Sequence, residues 1–160
     1  MISPSDDNPI TIYLTGGTIG NPEVFSTTNT GEKFPILMLS NVSLMGEGED
    51  VTLIDAEQTA RVIQIGTRNE ESTCDADRIC GARNVVISDL TIMGGHSMLN
   101  TNSHNRQSGG GVLVGQPENV TFRNLTIKDN IGSIGGGIHV INNDWNYTSQ
   151  NPGFTLSNVK

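Results

Sequence analysis

The feature that most constrains the fold is a repeat of about 35 residues, built from short alternating apolar triplets. "NVVISDLTI" begins at Asn84, "NVTFRNLTI" begins at Asn119, and "FTLSNVK" is a third, unfinished copy. The copies open at Val85, Val120 and Phe154, which are 35 and then 34 residues apart. Because side chains along a strand alternate between two faces, the outer residues of each triplet share one face. The repeat therefore predicts short, half-buried strands stacked turn upon turn.

A third triplet belongs to each copy and is preceded by three glycines. Gly109–Gly111 precede "VLV", and Gly135–Gly137 precede "IHV". Glycine adopts the positive φ that a sharp corner requires. A propeller would instead need antiparallel hairpins, whose typical Asn-Gly and Asp-Gly turns are missing from these junctions. The pattern predicts an all-β parallel β-helix, a solenoid with three short strands per turn and about 4 to 5 turns.

The equivalent apolar residues of successive copies are expected to stack into inner columns. The predicted columns are Val85, Val120 and Phe154; Ile87, Phe122 and Leu156; and Leu90, Leu125 and Val159. Asp89, Asn124 and Asn158 fall at matching places between the first and second strands. Earlier in the chain Val42, Val51 and Ile63 open a looser set of three strands.

Composition excludes several classes of function. Only 16% of the 160 residues are charged, 19 are Gly, and the formal net charge is -8. Single scattered Lys and Arg residues form no basic stripe, so we expect no nucleic-acid partner. No apolar run approaches the length of a membrane-spanning helix, and "MISPSDDNP" lacks the features of a signal peptide.

We expect one domain over residues 1–160, with insertions at 66–83, 94–108 and 141–152.

The repeats resemble a known group of proteins. Together with "PITIYLTGGTI" and "GGGVLV", they resemble the right-handed parallel β-helix proteins of bacterial and archaeal surfaces. In particular the chain looks like an extracellular β-helix domain of unknown function, and "IKDNIGSIGGGIHV" is similar to the repeats of polymorphic outer membrane proteins. The resemblance covers Ile10 to Lys160 and implies an extracellular or cell-surface location. It specifies the fold rather than an activity, because pectinases, adhesins, phage tail spikes and fibres share this coil.

Two departures from that resemblance bear on the domain organisation. The amphipathic cap that often precedes the first strand is missing, and the last turn is incomplete. We therefore expect a segment of a longer protein, or a very short member of the group.

Two cysteines point to an oxidising compartment. Cys74 and Cys80 enclose "DADRI", a spacing that fits neither paired zinc ligands nor a redox pair. We expect a local disulfide, with two free thiols as the alternative. Asp75 and Asp77 offer oxygens to Ca²⁺ in the same loop, but the acidic positions of an EF-hand are absent. We expect no cofactor.

The insertions carry the candidate ligand residues. His96, His104 and Arg106 lie in "GGHSMLNTNSHNRQS", and loops on a rigid scaffold often bind ligands. Trp145 and Tyr147 lie in "NNDWNYTSQNPG" and suit stacking on a sugar ring. The alternatives are a solvated insertion for the first group and a cap on the inner columns for the two aromatic residues.

The outward strand positions show no catalytic pattern. No pair of carboxylates occurs among the outward residues, which are Val86, Thr121 and Thr155 in the first row, Thr91, Thr126 and Lys160 in the second, and Gln64, Leu113 and His139 in the third. The acidic run "GEGED" (Glu47, Glu49 and Asp50) is predicted to be solvated loop charge. Sequons occur at Asn41, Asn119, Asn124 and Asn146, and only Asn146 lies in an insertion, where it is the candidate glycosylation site.

Two classes of function fit these observations. The leading hypothesis is a noncatalytic extracellular structural or cell-surface module, which could assemble head-to-tail because open coil ends expose unpaired strand edges. The alternative is a β-helix protein that binds or cleaves polysaccharide. Cleavage would need aligned acidic residues on one face, which the sequence does not predict.

Overall fold

A computed structural model describes residues 3–66, 81–99, 108–141 and 153–160. Within these residues the chain is mostly strand, with one short helix, α1 (Thr27–Thr30), and one 3₁₀ turn at Ser97–Leu99. The strands in chain order are β1 (Ile10–Tyr13), β2 (Glu23–Ser26), β3 (Ile36–Met38), β4 (Val42–Met45), β5 (Thr52–Asp55), β6 (Ile63–Ile65), β7 (Arg83–Met93), β8 (Val112–Gly115), β9 (Glu118–Lys128), β10 (Ile138–Ile141) and β11 (Phe154–Val159). The predicted all-β class is confirmed.

Every pairing between these strands is parallel, and the strands form two sheets. In the larger, seven-stranded sheet β1 pairs with β4, β2 pairs with β5, and β4 and β5 pair with the two halves of β7. β7 then pairs with β9, and β9 pairs with β11. The second sheet has four strands in the order β3-β6-β8-β10. Each strand therefore pairs with its equivalent in the next repeat, as the spacing predicts.

The predicted columns form the core, except for Leu156, which is 52% exposed, while Phe154 and Val159 are partly buried against the core. Val120 pairs with both Val85 and Phe154, and Phe122 pairs with both Ile87 and Leu156. The ring of Phe122 also meets that of Phe154 edge-on, with centroids 5.0 Å apart. Burial of each such side chain stabilises the fold by about 1.5 to 3 kcal/mol, which makes the columns its main source of stability.

The first and second strands of a repeat are joined at a bend. β7 and β9 are each 11 residues long, and each contains a residue with positive φ, Asp89 at 60° and Asn124 at 50°. Asn158 repeats this conformation in β11, with φ of 51°. Asp and Asn tolerate the left-handed region better than most other residues with a Cβ. The two triplets predicted as separate strands are therefore halves of one bent strand.

These bends are linked by ladders of side-chain hydrogen bonds. Asn124 Nδ2 donates to Asp89 Oδ1 at 2.8 Å, and Asn158 Nδ2 donates to Asn124 Oδ1 at 3.1 Å. A second ladder lies near the start of β4, β7 and β9, in which Asn119 donates to Asn84 at 2.8 Å and Asn84 donates to Asn41 at 2.9 Å. Each rung connects one repeat to the next, so the ladders fix the parallel register at two corners.

Strand β5 departs from the predicted phase. The triplet starting at Val51 predicts Val51 and Leu53 inside, whereas Thr52 and Ile54 are the buried residues. A shift of one residue exchanges the two faces of a strand. The Thr52 hydroxyl is satisfied inside, because it donates to the carbonyl of Thr15 at 3.3 Å and accepts from the backbone N–H of Glu47 at 3.0 Å. The prediction relied on an apolar residue at the inward position, whereas this position holds a buried Thr whose hydroxyl is hydrogen-bonded.

The glycine triplets allow close stacking at the third corner. Gly109 and Gly135 have φ of 60° and 59°. A Cβ on Gly110 would collide with the backbone carbonyl oxygens of Ile131 and Gly136. Only glycine therefore lets these two turns approach each other here, which accounts for the predicted corners.

Candidate functional site

The outer side of the four-stranded sheet is the candidate site. Leu37, Gln64, Leu113 and His139 pair in register across the four strands and point away from the inner columns, and we call this surface the four-stranded face. The predicted outward positions of Gln64, Leu113 and His139 are thus confirmed. Leu113 is nevertheless only 2% exposed, so it is covered on the outer side as well. Gln64 and His139 remain half-buried on either side of it.

Arg61 anchors one margin of this face. Its Nε donates to the carbonyl of Gly109 at 2.9 Å and its Nη2 to the carbonyl of Ser108 at 2.6 Å. Its Nη1 donates to Gln64 Oε1 at 2.9 Å, and Gln64 Nε2 in turn donates to the carbonyl of Gly66 at 3.1 Å. The guanidinium therefore fixes both the glycine corner and the orientation of the Gln64 amide.

The electrostatics of the face follow from Arg61. Burial lowers the pKa of Arg61 to about 10, which leaves the guanidinium protonated at neutral pH. Burial, and then the charge of Arg61, lower the pKa of His139 below its ordinary value. The imidazole is therefore mostly neutral at pH 7 and offers one donor and one acceptor. The face combines a fixed cation with a neutral amide and a neutral imidazole.

The predicted insertions adjoin the ends of strands in this sheet. Because the strands are parallel, their carboxyl ends lie on one side, where the chain leaves β6 at Gly66 and β10 at Ile141. The insertion at 94–108 enters on the opposite side, where Ser108 precedes β8. At its other end each of these insertions joins β7 or β11 of the seven-stranded sheet.

A different outer surface is occupied by the chain itself. Glu49 lies across the second row, where its carbonyl accepts from the Thr91 hydroxyl at 2.7 Å. Its carboxylate accepts from the Thr126 hydroxyl at 3.3 Å and from Lys160 Nζ at 2.9 Å. The hydrogen bond to Glu49 is the main cause that raises the pKa of Lys160. The expectation of purely solvated loop charge in "GEGED" is therefore wrong for Glu49, which joins three repeats.

Most of the predicted ligand residues lie outside the described part of the chain. These are Cys74, Asp75, Asp77, Cys80, His104, Arg106, Trp145, Asn146 and Tyr147. His96 is described, and its backbone N–H donates to the carbonyl of Ala60 at 2.9 Å. It also forms a parallel bridge with Ile131. Thus the first residues of the 94–108 insertion pair with neighbouring repeats, and His96 is half-buried among them.

Three sequons are parts of the ladders. The Nδ2 atoms of Asn119 and Asn124, to which a glycan would be attached, donate to the preceding repeat. Asn41 is 5% exposed and accepts from Asn84. This agrees with the prediction that these three sequons arise from Asn at a corner followed by a Thr-containing strand.

The four-stranded face presents an amide, an imidazole and two apolar side chains. Its four outward residues include no carboxylate, whereas glycoside hydrolysis typically uses a pair of them. Elsewhere in the described ranges, no three His, Cys, Asp or Glu side chains gather as a metal site. The helices in those same ranges are too short to span a membrane.

Sequence reasoning missed Arg61 and the role of Glu49. Arg61 had a usable signal, because pairing of Ile63 with Val112 and of Val112 with Ile138 aligns it with Gly110 and Gly136. A charged residue where the two later repeats have Gly indicates a specific task. Glu49 had no such signal, since it lies in a loop outside the repeat.

Comparison with protein families, with curated proteins and with solved structures found no match.

Proposed function

We propose that the chain is a right-handed parallel β-helix with three strand rows, and that it serves as a noncatalytic structural module of an extracellular or cell-surface protein. The observation that carries this proposal is the unbroken register of equivalent residues. The column Ile12, Leu44, Ile87, Phe122 and Leu156 runs through five successive repeats, and the column Ile36, Ile63, Val112 and Ile138 runs through four.

The ladders and glycine corners support a structural role. Many Asn, Gly and Thr residues, which could have belonged to a catalytic or ligand site, instead join neighbouring repeats. Asn forms the side-chain ladders, Gly allows the close approach at the third corner, and Thr makes outer contacts with Glu49. Such a scaffold is stabilised by contacts between neighbouring turns, so it can extend as a stiff rod. That property suits a surface or matrix component.

Nuclear Overhauser contacts in the uniformly labelled 160-residue chain test the fold. We expect contacts from each strand to its equivalent in the next repeat, such as Val85 to Val120 and Ile63 to Val112, in all three rows. Contacts between consecutive strands in antiparallel register would contradict the β-helix.

A substrate screen tests the absence of catalysis. We expect no new reducing ends and no unsaturated uronates from polygalacturonate or alginate, with or without added Ca²⁺, above a heat-denatured control. Reproducible turnover by the folded chain would replace the structural proposal with the enzymatic one.

A second candidate is glycan binding without cleavage on the four-stranded face. It is favoured by the Gln64 amide that Arg61 holds in place and by His139 in the same row. Extended polysaccharide would receive hydrogen bonds from Gln64 and His139. Replacement of each by Ala should weaken binding in a glycan array, whereas Thr121→Ala on a different face should leave it unchanged. If both Ala variants bind normally and Trp145→Ala or Tyr147→Ala does not, the aromatic insertion is the platform.

A further inference from the structure

A stack of repeats is normally stabilised by each repeat and by its contacts with the immediate neighbours. The strand pairs and both Asn ladders follow this rule, because each joins one repeat to the next. Such a stack can open locally, one repeat at a time. A hydrogen bond that skips a repeat changes this behaviour, because it couples repeats whose strands do not pair.

The second repeat supplies two side chains that make such bonds. This repeat contains β4 to β6, the third contains β7 and β8, the fourth contains β9 and β10, and the fifth contains β11. Glu49 lies between β4 and β5, and its carboxylate accepts from the Thr126 hydroxyl in the fourth repeat and from Lys160 Nζ after β11. Gln58 lies between β5 and β6, and its Nε2 donates to the carbonyl of Asp129 after β9 at 3.0 Å.

Both side chains start from a backbone that is fixed on the third repeat, which they cross. The Glu49 carbonyl accepts from the Thr91 hydroxyl at 2.7 Å, and the Gln58 N–H donates to the carbonyl of Gly94 at 2.7 Å. Gln58 also has φ of 57°, in the left-handed region that residues with a Cβ seldom adopt. The chain therefore holds an unfavourable backbone conformation at a residue that reaches past its neighbouring repeat.

From these contacts we propose that Glu49 and Gln58 form a clamp, through which repeats two to five open as one cooperative unit rather than one after another. Opening of the fourth repeat alone would break both arms of the clamp in addition to the contacts with its neighbours. The inference rests on the proposed structural role, because resistance to the opening of single turns is what a stiff rod requires.

The two arms of the clamp differ in their chemistry. The arm from Glu49 to Lys160 is an ion pair at 2.9 Å, in which the Glu49 side chain is 16% exposed and the Lys160 side chain is 65% exposed. Salt screens a pair of this kind. The arm from Gln58 joins a neutral amide to a carbonyl, so salt should leave it intact. The two arms can therefore be tested separately.

Native-state hydrogen exchange of the full chain tests the clamp. Three backbone N–H groups report on opening between successive repeats, because each donates to a carbonyl of the next repeat: Ile63 for the second and third, Val112 for the third and fourth, and Ile127 for the fourth and fifth. If these repeats open as one unit, the three groups share one opening constant and one dependence on urea in the unmodified chain.

Four substitutions separate the clamp from its surroundings. Glu49→Gln removes the ion pair, and Gln58→Asn shortens the neutral arm while keeping a residue that tolerates the left-handed region. Asp50→Asn is the control for the charge of the same loop. Gln116→Asn is the control for the shortening, because Gln116 also has positive φ, at 41°.

We expect Glu49→Gln to accelerate exchange at Ile127 about threefold to tenfold more than at Ile63. Gln58→Asn should accelerate exchange at Val112 by a similar factor relative to Ile63. Both controls should leave these ratios within about twofold of those in the unmodified chain. Raising the salt from about 50 mM to about 500 mM should accelerate Ile127 about twofold in the unmodified chain and have no such effect in Glu49→Gln.

Several outcomes would overturn the inference. Equal acceleration at all three reporters would show that Glu49 and Gln58 add stability without coupling the repeats. Graded opening constants in the unmodified chain, or control variants that match the clamp variants, would also refute it. Each of these results, with inter-repeat Overhauser contacts intact, leaves the β-helix standing, whereas absence of those contacts refutes the proposed function itself. If a clamp variant does not fold, the urea and salt series on the unmodified chain still decides.

Discussion

Replacement of Asn124 tests whether the side-chain ladder contributes to the stability of the fold. Asn124 combines two roles, since its φ is 50° and its amide both donates to Asp89 and accepts from Asn158. Asn124→Ala removes both hydrogen bonds. It also places in the left-handed region a residue whose side chain cannot hydrogen-bond to the local backbone. Asn124→Gly removes the same bonds but tolerates the backbone conformation. The pair of variants therefore separates the two roles.

The magnitudes follow from this geometry. Each hydrogen bond is worth about 0.5 to 1.5 kcal/mol, and the lower end applies because the Asn124 side chain is exposed. The left-handed conformation costs Ala about 1 kcal/mol. We expect Asn124→Ala to lower the free energy of unfolding by about 2 kcal/mol and Asn124→Gly by about 1 kcal/mol. For a domain of this size, 2 kcal/mol corresponds to a fall in Tm of about 4 to 8 °C.

Urea titration followed by circular dichroism measures these differences, with Thr155→Ala as an exposed control that should change stability by less than about 0.5 kcal/mol.

Asn124→Asp adds a charge-specific test. It keeps the backbone preference but faces the carboxylate of Asp89, so its deficit should be larger at pH 7 than at pH 4. An Asn124→Gly variant as stable as the unmodified chain would refute the ladder's contribution. Equal losses in the Gly and Ala variants would refute the backbone argument.

Three further predictions concern the core, the glycine corner and the four-stranded face. Phe122→Ala should lower the free energy of unfolding by about 3 to 5 kcal/mol, because the ring is fully buried in an inner column. Gly110→Ala should cost about 1 to 3 kcal/mol or more, because its Cβ would meet the carbonyl of Ile131. Burial and the charge of Arg61 lower the pKa of His139, so its contribution to stability is complete above the ordinary value of 6.5 and is lost as the pH falls from there through the lowered pKa of the folded state. His139→Gln should therefore reduce the loss of stability between pH 7 and pH 5.

Each of these has a result that would contradict it. A Phe122→Ala variant within about 1 kcal/mol of the unmodified chain would mean that the column is not closely packed. Gly110→Ala should be compared with Gly20→Ala, where no atom lies within 4 Å of the added Cβ and only the positive φ of 88° opposes alanine. A cost at Gly110 no larger than the cost at Gly20 would show that the close approach does not require glycine. An unchanged pH profile in His139→Gln would show that another group controls acid sensitivity.

The inner columns could be predicted because they depend on two regularities of the sequence. Alternation places Val85 and Ile87 on one face, and the 35-residue spacing places Val120 and Phe122 beside them. The prediction failed at Thr52 in β5, where a hydrogen-bonded polar side chain occupies the inward position instead of an apolar one. A period-two pattern reports which residues are apolar, and it does not report a polar side chain whose hydrogen bonds are satisfied inside.

The candidate site was less predictable because its contacts join residues far apart in the chain. Gln64, Leu113 and His139 could be placed on one row from the repeat alone. The link from Arg61 to Ser108 and Gly109 depends on how the glycine corner folds, and the reach of Glu49 to Lys160 spans three repeats. Pairing register predicts neighbours along a row, whereas these contacts are set by side-chain length and loop path.

The abundance of Asn, Gly and Thr has a structural explanation that redirects the search for function. Asn at the bends satisfies the left-handed conformation and bonds the next repeat, and glycine at the third corner avoids backbone carbonyls. Residues with such a role carry little information about a ligand. The informative residues are those that the fold does not need, such as the half-buried pair Gln64 and His139 on the four-stranded face.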